Sequence, residues 1–422
     1  MGETIEHKCP NCGGSLSFDA ASQMVKCPYC DSEFEADSLR HMDVGLTDDL
    51  ADDAGEEWTE KELYGIAEYQ CQSCGGNIYS EETTSATLCP YCGSTVILKG
   101  RLTGVLKPDR VIPFQKTKQE ALQGLEEHLG GKRFVPKKFL NNNKLDEVKG
   151  LYVPFWVYEA ELKGDVMYQC VNERTWTSGN TEYTERKYYN VRRAGDIAFD
   201  HVPADGSSKM PDDLMESIEP FDFGQSVDFT TSYLSGYVAD KYDVDQDMVR
   251  PRVRKRLQEG TADEFKTTVR GYDEIHLRNV EIAATSSTVN YVLYPVWLLN
   301  LSWEDKKFIF AMNGQTGKMV GNLPVDKIKL GSATAGLFFG LMIAMTLLIG
   351  FLADDMIGGI IGGLIIGGIA AAVFYNYFKG QLRSVAFQHG AANYYRPNSM
   401  KLSVKTDEFD HKEVTSRRIN DD

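Results

Sequence analysis

The chain has 422 residues, enough for two or three domains, and 42% of them are hydrophobic, which excludes a wholly disordered protein. Asp and Glu (61) outnumber Lys and Arg (45), giving a formal net charge of -16. Because affinity for nucleic acid comes largely from basic side chains that displace counterions from phosphate, nucleic acid is not expected to be the main partner of so acidic a chain.

Eight of the nine cysteines form four Cys-x-x-Cys pairs, arranged as two blocks with the same C-x2-C-x14-C-x2-C spacing. This spacing presents four thiolates to one tetrahedral ion, so each block predicts a zinc ribbon, over residues 1–35 and 68–100. The residues around the cysteines are also similar in the two blocks, which indicates an internal duplication. The predicted ligands of the two zinc ions are Cys9, Cys12, Cys27 and Cys30 in the first ribbon and Cys71, Cys74, Cys89 and Cys92 in the second.

Cysteine pairs at this spacing have uses other than zinc binding. The first residues contain no apolar stretch, so no secretory signal peptide is predicted and disulfides are not expected. Iron in rubredoxin-like knuckles and a redox dithiol remain the alternatives. Each ribbon is too short to bury a core of its own, so the metal is expected to supply its folding energy. In the first ribbon, short strands are predicted around residues 15–18 and 24–25.

An acidic stretch separates the ribbons. From Asp31 to Tyr69 there are fourteen acidic and two basic residues. Residues 36–67 are therefore predicted to be a solvated, self-repelling linker, with an acidic docking peptide as the alternative. Within it, Thr59 is a candidate N-cap for a short helix over residues 59–68. The ribbons themselves carry too few basic residues for phosphate contact, which favours protein contact or structural capping.

Residues 101–329 are predicted to form a β-rich α+β cytoplasmic body. Apolar periodicity and end signals predict helices over residues 116–130, 232–240 and 246–259. Strands are predicted at two similar aromatic segments, Val153-Pro-Phe-Trp156 and Tyr294-Pro-Val-Trp297. Their similarity suggests two related lobes. Residues 308–321 have the composition of a β-hairpin, with Asn313-Gly314 near the turn.

One dense basic cluster lies in the body, at Arg250, Arg252, Arg254, Lys255 and Arg256. It is interpreted either as a solvated helix face or as a contact for anionic lipid headgroups or nucleic acid. Cys170 has no partner cysteine, and no Ser/His/Asp set is evident. A filled four-thiolate site has no open coordination position. The sequence therefore predicts a protein that is not an enzyme.

Two uncharged stretches of 23 residues, 330–352 and 356–378, predict a transmembrane helical hairpin, with a buried soluble helix pair as the alternative. Basic residues flank the hairpin, at Lys327, Lys329, Lys379 and Arg383. The positive-inside rule then predicts a multi-pass protein of the cell (inner) membrane with cytoplasmic N and C termini. Residues 379–422 are predicted to be a cytoplasmic tail, strand-like at 401–405.

Glycines recur at four-residue spacing in the hairpin: Gly336/Gly340, Gly358/Gly362 and Gly359/Gly363/Gly367. Such spacing lets helix backbones approach closely. The sequence leaves open whether these glycines pack the two helices together or form a homo-oligomer.

The order of two four-cysteine ribbons, an aromatic body, Asn313-Gly-Gln-Thr-Gly-Lys318 and a glycine-rich hairpin resembles the bacterial membrane-anchored TFIIB-type zinc ribbon-containing proteins. Some of these are labelled primosomal helicase-like, but no ATPase motif is present here. The resemblance implies partners at the membrane, because some members act with phage-shock protein A and a flotillin-like protein during envelope stress. Of the functional positions, it carries over the eight paired cysteines.

These observations predict a non-enzymatic, membrane-anchored zinc-ribbon adaptor that presents protein-binding surfaces in the cytoplasm. The first alternative is a membrane-tethered nucleic-acid-binding regulator that uses the ribbons and the basic cluster. A transporter or small-channel component, based on the glycine-rich helices, is the second.

Overall fold

The computed structural model describes residues 50–51, 53–81, 88–136, 139, 148–303, 306–353, 356–385 and 390–419, and the backbone of three short strands nearer the N terminus. Those strands, β1 (Ser17–Asp19), β2 (Met24–Lys26) and β3 (Glu33–Glu35), form an antiparallel sheet in that order. The predictions for residues 15–18 and 24–25 are confirmed at β1 and β2. The four cysteines predicted as ligands here, Cys9, Cys12, Cys27 and Cys30, lie outside the described residues.

The remaining described strands form one twelve-stranded sheet. They are β4 (Ile66–Cys71), β5 (Asn77–Glu81), β6 (Val96–Arg101), β7 (Arg110–Val111), β8 (Lys149–Ser178), β9 (Thr181–Asp205), β10 (Val227–Asp228), β11 (Val238–Asp240), β12 (Glu274–Trp303), β13 (Lys306–Asn313), β14 (Met319–Gly321) and β15 (Lys401–Arg418). The strand order is β10-β7-β12-β8-β11-β5-β4-β6; β9 also pairs with β8, β15 with β9, β13 with β12 and β14 with β13.

Six α-helices occur in the described residues: α1 (Glu60–Leu63), α2 (Lys118–Leu129), α3 (Asp212–Ile218), α4 (Gln246–Lys266), α5 (Lys327–Ala353) and α6 (Met356–Gln381). The helices predicted over 116–130 and 246–259 are confirmed as α2 and α4. Thr59 caps α1 as predicted, by accepting a hydrogen bond from the Glu62 amide. That helix is shorter than predicted because the chain turns at Gly65, with φ of +91°, and enters β4.

The helix predicted over residues 232–240 is wrong. A short 3-10 helix, Thr231–Leu234, is followed by β11, which pairs with β5 on one side and β8 on the other. Propensity favoured a helix here, but the sheet offers hydrogen-bond partners on both sides of the segment, and tertiary pairing overrides local preference.

The longest strands, β8 and β12, are antiparallel neighbours over almost their whole length. Their register sets Val153 opposite Tyr294 and Trp156 opposite Tyr291. The two aromatic segments therefore lie side by side in one sheet rather than in separate lobes. The predicted hairpin over residues 308–321 is confirmed by the antiparallel pairing of β13 with β14.

Helices cover both faces of the sheet at its broad end. On one face, α4 buries Val253, Leu257 and Phe265 against the largest hydrophobic core. On the other face, α3 contributes Leu214, Met215 and Ile218 to a second core. The alternation of side chains along β8 explains this arrangement, since its even-numbered residues face α4 and its odd-numbered residues face α3.

The described part of the predicted acidic linker is folded against the body. Leu50 and Ala54 are 5% and 3% exposed within the largest core. Trp58 packs edge-on against Phe229, with ring centroids 5.8 Å apart. For residues 50–51 and 53–67, the prediction of a solvated tether is wrong, because apolar residues spaced among the acidic ones reach the core while the carboxylates remain outside.

The chain after α6 returns to the body. β15 pairs antiparallel with β9 from Lys401 to Arg418, so the strand predicted over 401–405 is confirmed and is much longer than predicted. The C-terminal region is thus an integral strand of the sheet rather than a tail.

The helices α5 and α6 pack against each other through one glycine face. A Cβ atom at Gly363 would lie 2.8 Å from the Met342 carbonyl oxygen, and one at Gly367 would lie 3.0 Å from that of Phe338. No described atom lies within 4 Å of a Cβ placed at Gly336 or Gly340. The structure therefore assigns Gly359, Gly363 and Gly367 to packing within the hairpin.

Replacing Gly363 with leucine should separate the two helices, because the added side chain would meet backbone that cannot move aside. We expect a loss of about 1–3 kcal/mol, the usual cost of overpacking, in SDS titration of the protein in mild detergent. Gly340→Leu is the matched control and should change this stability little. Equal losses in the two variants would contradict the assignment of the Gly363 face.

Candidate metal centre

Two short knuckles bring together the four cysteines of the second block. Cys71 is the last residue of β4, and its carbonyl accepts a hydrogen bond of 2.8 Å from the Gly75 amide. In the second knuckle, the Cys89 carbonyl accepts one of 3.0 Å from the Gly93 amide. Gly75 and Gly93 both adopt positive φ, +73° and +74°, which a side chain would strain.

The four sulfur atoms form a compact group, in which every pair lies within 4.8 Å. The Sγ atoms of Cys71 and Cys92 are 3.5 Å apart, and those of Cys74 and Cys89 are 3.6 Å apart. Tetrahedral zinc with Zn–S bonds of about 2.3 Å would require sulfur atoms about 3.8 Å apart. The donor set and its spacing therefore fit a four-thiolate metal site. For the second block, the structure confirms that the four cysteines converge on one point.

Burial of the cysteines disfavours four thiolates unless a cation neutralises them. Cys71 and Cys89 are 0% and 2% exposed, and the other two are half-buried. Burial raises the pKa of the Cys74 and Cys89 thiols. Burial also opposes ionisation of Cys92, but hydrogen bonds with Ser94 and the neighbouring thiols outweigh it and lower its pKa to about 6. Four clustered thiolates would repel one another without a cation, whereas a divalent metal ion would stabilise all four.

The segment that contains this four-cysteine group is built into the body rather than attached to it by a tether. β5 pairs with β11, which in turn pairs with β8, so the strands of this segment extend the main sheet. The Asn300 side-chain amide donates a hydrogen bond of 2.5 Å to the Pro90 carbonyl, inside the second knuckle. The cysteine spacing could not show this connection, because the partner residues lie far away in the sequence.

The basic cluster of α4 faces largely inward. Arg256 is 3% exposed, and its guanidinium donates to both carboxylate oxygens of Glu219, at 3.0 and 2.6 Å. Arg252 donates to the Asp205 carboxylate at 2.9 Å, and Arg250 pairs with Asp247. For Arg256 the predicted contact with headgroups or nucleic acid is wrong, because a buried guanidinium cannot reach either. The other two members of the cluster, Arg254 and Lys255, are half-buried.

The Glu219–Arg256 pair belongs to a buried network that the sequence reasoning missed. Burial opposes the charge of Arg256, but the Glu219 carboxylate outweighs it and raises the pKa of the guanidinium above its ordinary value. The Tyr394 hydroxyl donates to the same carboxylate at 2.6 Å. Since Tyr394 follows the helical hairpin, this network joins chain from both sides of it.

A surface cavity of about 520 Å³ lies between the α1 region and the segment after β6. Its walls are mainly apolar, formed by Trp58, Leu63, Leu102, Val105 and Leu106. Its titratable lining consists of Glu57 and Tyr242. These residues offer apolar contact rather than a nucleophile with an adjacent base.

The fold and this site define a class of protein: a β-rich α+β body with a four-cysteine group that could hold a metal ion, and two helices apolar enough to cross a membrane. The chain is 32% identical over 343 residues to the uncharacterized protein YdjG of Bacillus subtilis (strain 168), and the match covers 81% of this chain and 97% of the relative. The chain therefore belongs to the same protein family as YdjG. No family model and no solved structure matches the chain.

Proposed function

We propose that this protein is a non-enzymatic, membrane-anchored zinc-ribbon adaptor, which presents cytoplasmic surfaces that recruit envelope-stress proteins to the membrane. One observation carries the proposal. Strand β9, which precedes the apolar helices, pairs along β15, which follows them. One folded body therefore contains the chain on both sides of the hairpin, so both ends of the hairpin lie on one side of any membrane that it crosses.

The exposure of the hairpin supports a membrane location. Apolar side chains far from the body are largely exposed, including Phe351 at 89% and Ile357 at 72%. A soluble helix pair would leave these side chains in water at a cost of about 25 cal/mol for each Å² of apolar surface. With 27 and 26 residues, α5 and α6 are about 40 Å long, sufficient for a hydrocarbon core of about 30 Å.

The base of the hairpin is joined firmly to the body. Leu330 at the start of α5 is fully buried. Phe134, from the turn after α2, packs against Phe378 of α6 with ring centroids 4.9 Å apart. The Leu323 amide also donates a hydrogen bond of 2.9 Å to the Leu382 carbonyl. Because these contacts hold the body against the hairpin, insertion of the hairpin would fix the orientation of the body at the bilayer.

Strand β8 extends a long way from the base of the hairpin. Gly150 of β8 lies opposite Trp297, whose side chain packs in the core at the hairpin base. From there β8 continues to Ser178, a distance of up to about 90 Å at 3.3 Å per residue. An adaptor can use this length to contact a partner far from the hairpin base.

Charge and thiol chemistry support the cytoplasmic orientation. The basic residues Lys327, Lys329, Lys379 and Arg383 lie at the body end of the hairpin, and under the positive-inside rule this distribution favours a cytoplasmic location for that end. Thiolate ligands also require a reducing compartment. Zinc bound by four thiolates has a structural role, which supports a protein without enzymatic activity. The basic cluster, which the nucleic-acid alternative needs, is largely engaged in internal ion pairs.

The proposed topology predicts protection of one site from protease. A cleavage site inserted between Ala353 and Met356 should remain intact in sealed inside-out membrane vesicles, whereas tags at both termini should be removed. Detergent-opened vesicles, in which all three sites should be cut, provide the control. Protection of either terminal tag in the sealed vesicles would contradict the topology.

The partner assignment has its own test. Crosslinking of the full-length protein in intact membranes should recover protein partners, and the resemblance to TFIIB-type zinc ribbon-containing proteins supplies phage-shock protein A and a flotillin-like protein as the first candidates. Recovery of nucleic-acid-processing proteins alone would count against the adaptor and favour the regulator.

A further inference from the structure

The core face of β8 and β9 continues beyond the helix that covers it. A Cβ atom at Gly164 would lie 2.7 Å from the Thr261 side chain in α4, and the Tyr168 hydroxyl donates to the Ala262 carbonyl at 2.5 Å. This face is therefore covered by α4 up to Tyr168. Side chains alternate along a strand, so Arg174 and Trp176 lie on the same face, about 20 Å further along.

Three strands form this distal region, and their register defines its two faces. Trp176 lies opposite Tyr183, which in turn lies opposite Ser416 of β15. Arg174 likewise lies opposite Glu185, and Glu185 opposite Val414. We call this surface the distal face, represented by Arg174, Trp176, Tyr183, Lys187, Lys412 and Val414.

The distal face exposes apolar and aromatic groups. The side chains of Trp176 and Val414 are 37% and 50% exposed. The rings of Trp176 and Tyr183 stack with centroids 5.6 Å apart. At the inner margin, Phe409 is 58% exposed. A sheet normally buries its apolar face against a second layer, and contiguous exposed apolar surface typically marks an interaction site.

The charge of the distal face indicates which kind of partner would bind there. Outward from Lys187 the face carries four basic side chains, Arg174, Lys187, Lys412 and Arg418, and one carboxylate, Glu185. Glu185 contacts Lys187 and Lys412, both at 3.3 Å, which leaves a surplus of positive charge. Stacking two copies of the chain through this face would bring like charges together. An acidic partner, in contrast, complements it.

We propose that the distal face is a docking surface for an acidic amphipathic helix of a partner protein. The apolar side of this partner helix would lie on Trp176 and Val414, as α4 lies on the neighbouring part of the sheet. The carboxylates of the helix would pair with Arg174 and Arg418. The proposal rests on the proposed adaptor function and identifies a surface and a partner chemistry for it.

The test uses the full-length protein in nanodiscs and a phage-displayed library of random sixteen-residue peptides. Selected peptides should have surplus Asp and Glu, with large apolar residues at helical spacing. Their affinity should fall at least about tenfold for the variant Val414→Asp/Arg418→Glu, since it loses both apolar contact and charge complementarity. The variant Thr415→Asp/Arg417→Glu is the control and should bind within about twofold of the unaltered protein, because these residues project from the opposite face of the same strand.

Several results would overturn the docking proposal. Selected peptides that are basic, or that bind both double variants equally, would exclude the distal face. If the unaltered protein retained a single-stranded oligothymidine and Val414→Asp/Arg418→Glu did not, the face would bind nucleic acid instead. If that variant changed the protein from an oligomer to a monomer, the face would be a self-association surface. All four substituted residues are exposed, and thermal unfolding verifies that the variants are folded. Failure of the protein to insert into nanodiscs would refute the membrane anchor, independently of peptide binding.

Discussion

Replacing Cys71 with serine should lower the zinc content by about one ion per chain. Cys71 is fully buried, and its sulfur lies 3.5 Å from that of Cys92, so serine replaces one of the four clustered thiols with a hydroxyl, a much weaker zinc ligand. Structural zinc sites contribute about 10–16 kcal/mol of binding free energy in small ribbons, and three ligands retain little of it. Metal analysis of the purified full-length protein measures the effect directly.

The matched control is Cys170→Ala. Cys170 is also buried, but it lies on β8 and is not part of the four-cysteine group. Its replacement should leave the zinc content unchanged. Iron in place of zinc in the unaltered protein would overturn the identity of the metal, and an unchanged metal content in Cys71→Ser would overturn the site itself.

Loss of this metal should also affect the body. β4 contains Cys71 and pairs with both β5 and β6, and β5 joins the main sheet through β11. We therefore expect Cys71→Ser to become sensitive to limited proteolysis within residues 66–101, whereas a ribbon on a free tether would be lost without any effect on neighbouring strands.

Replacing Arg256 with leucine should destabilise the protein by about 3–5 kcal/mol, the usual cost of removing one partner of a buried ion pair. The substitution would leave the Glu219 carboxylate, 1% exposed, without its opposite charge. It would also remove the hydrogen bond of 2.7 Å to the Pro203 carbonyl. Denaturant unfolding in mild detergent, followed by tryptophan fluorescence, measures the change.

Lys255→Leu is the control, at the neighbouring and half-buried position of α4, and should change stability by about 0.5 kcal/mol or less. The double variant Glu219→Leu/Arg256→Leu should recover part of the loss, because no isolated charge then remains buried. A loss in Arg256→Leu no larger than in Lys255→Leu would show that the pair is not buried in solution.

The sequence was most informative where function or solvent dictates a short, local pattern. Cys-x-x-Cys pairs converge because two residues between sulfurs form a knuckle, and the structure confirms the group at Cys71, Cys74, Cys89 and Cys92. Uncharged stretches of 23 residues likewise predict long apolar helices without reference to the rest of the chain. Helices α2 and α4 followed from periodicity and from residues at their ends.

Long-range contacts were beyond that reasoning. A run of Arg and Lys looks the same in sequence whether it faces water or carboxylates, and Glu219, which pairs with Arg256, is 37 residues away. The acidic stretch looked solvated because its acidic residues far outnumber its basic ones, although Leu50 and Ala54 reach the core.

By itself, therefore, the sequence determined the four-cysteine group and the presence of two apolar helices, since both depend on residues close together in the chain. The tertiary structure alone decided that β15 pairs with β9, that one glycine face packs within the hairpin, and that the sheet extends beyond α4, the helix that covers it. These features depend on which distant segments meet, and burial and strand pairing are satisfied jointly by the whole fold rather than by any local pattern.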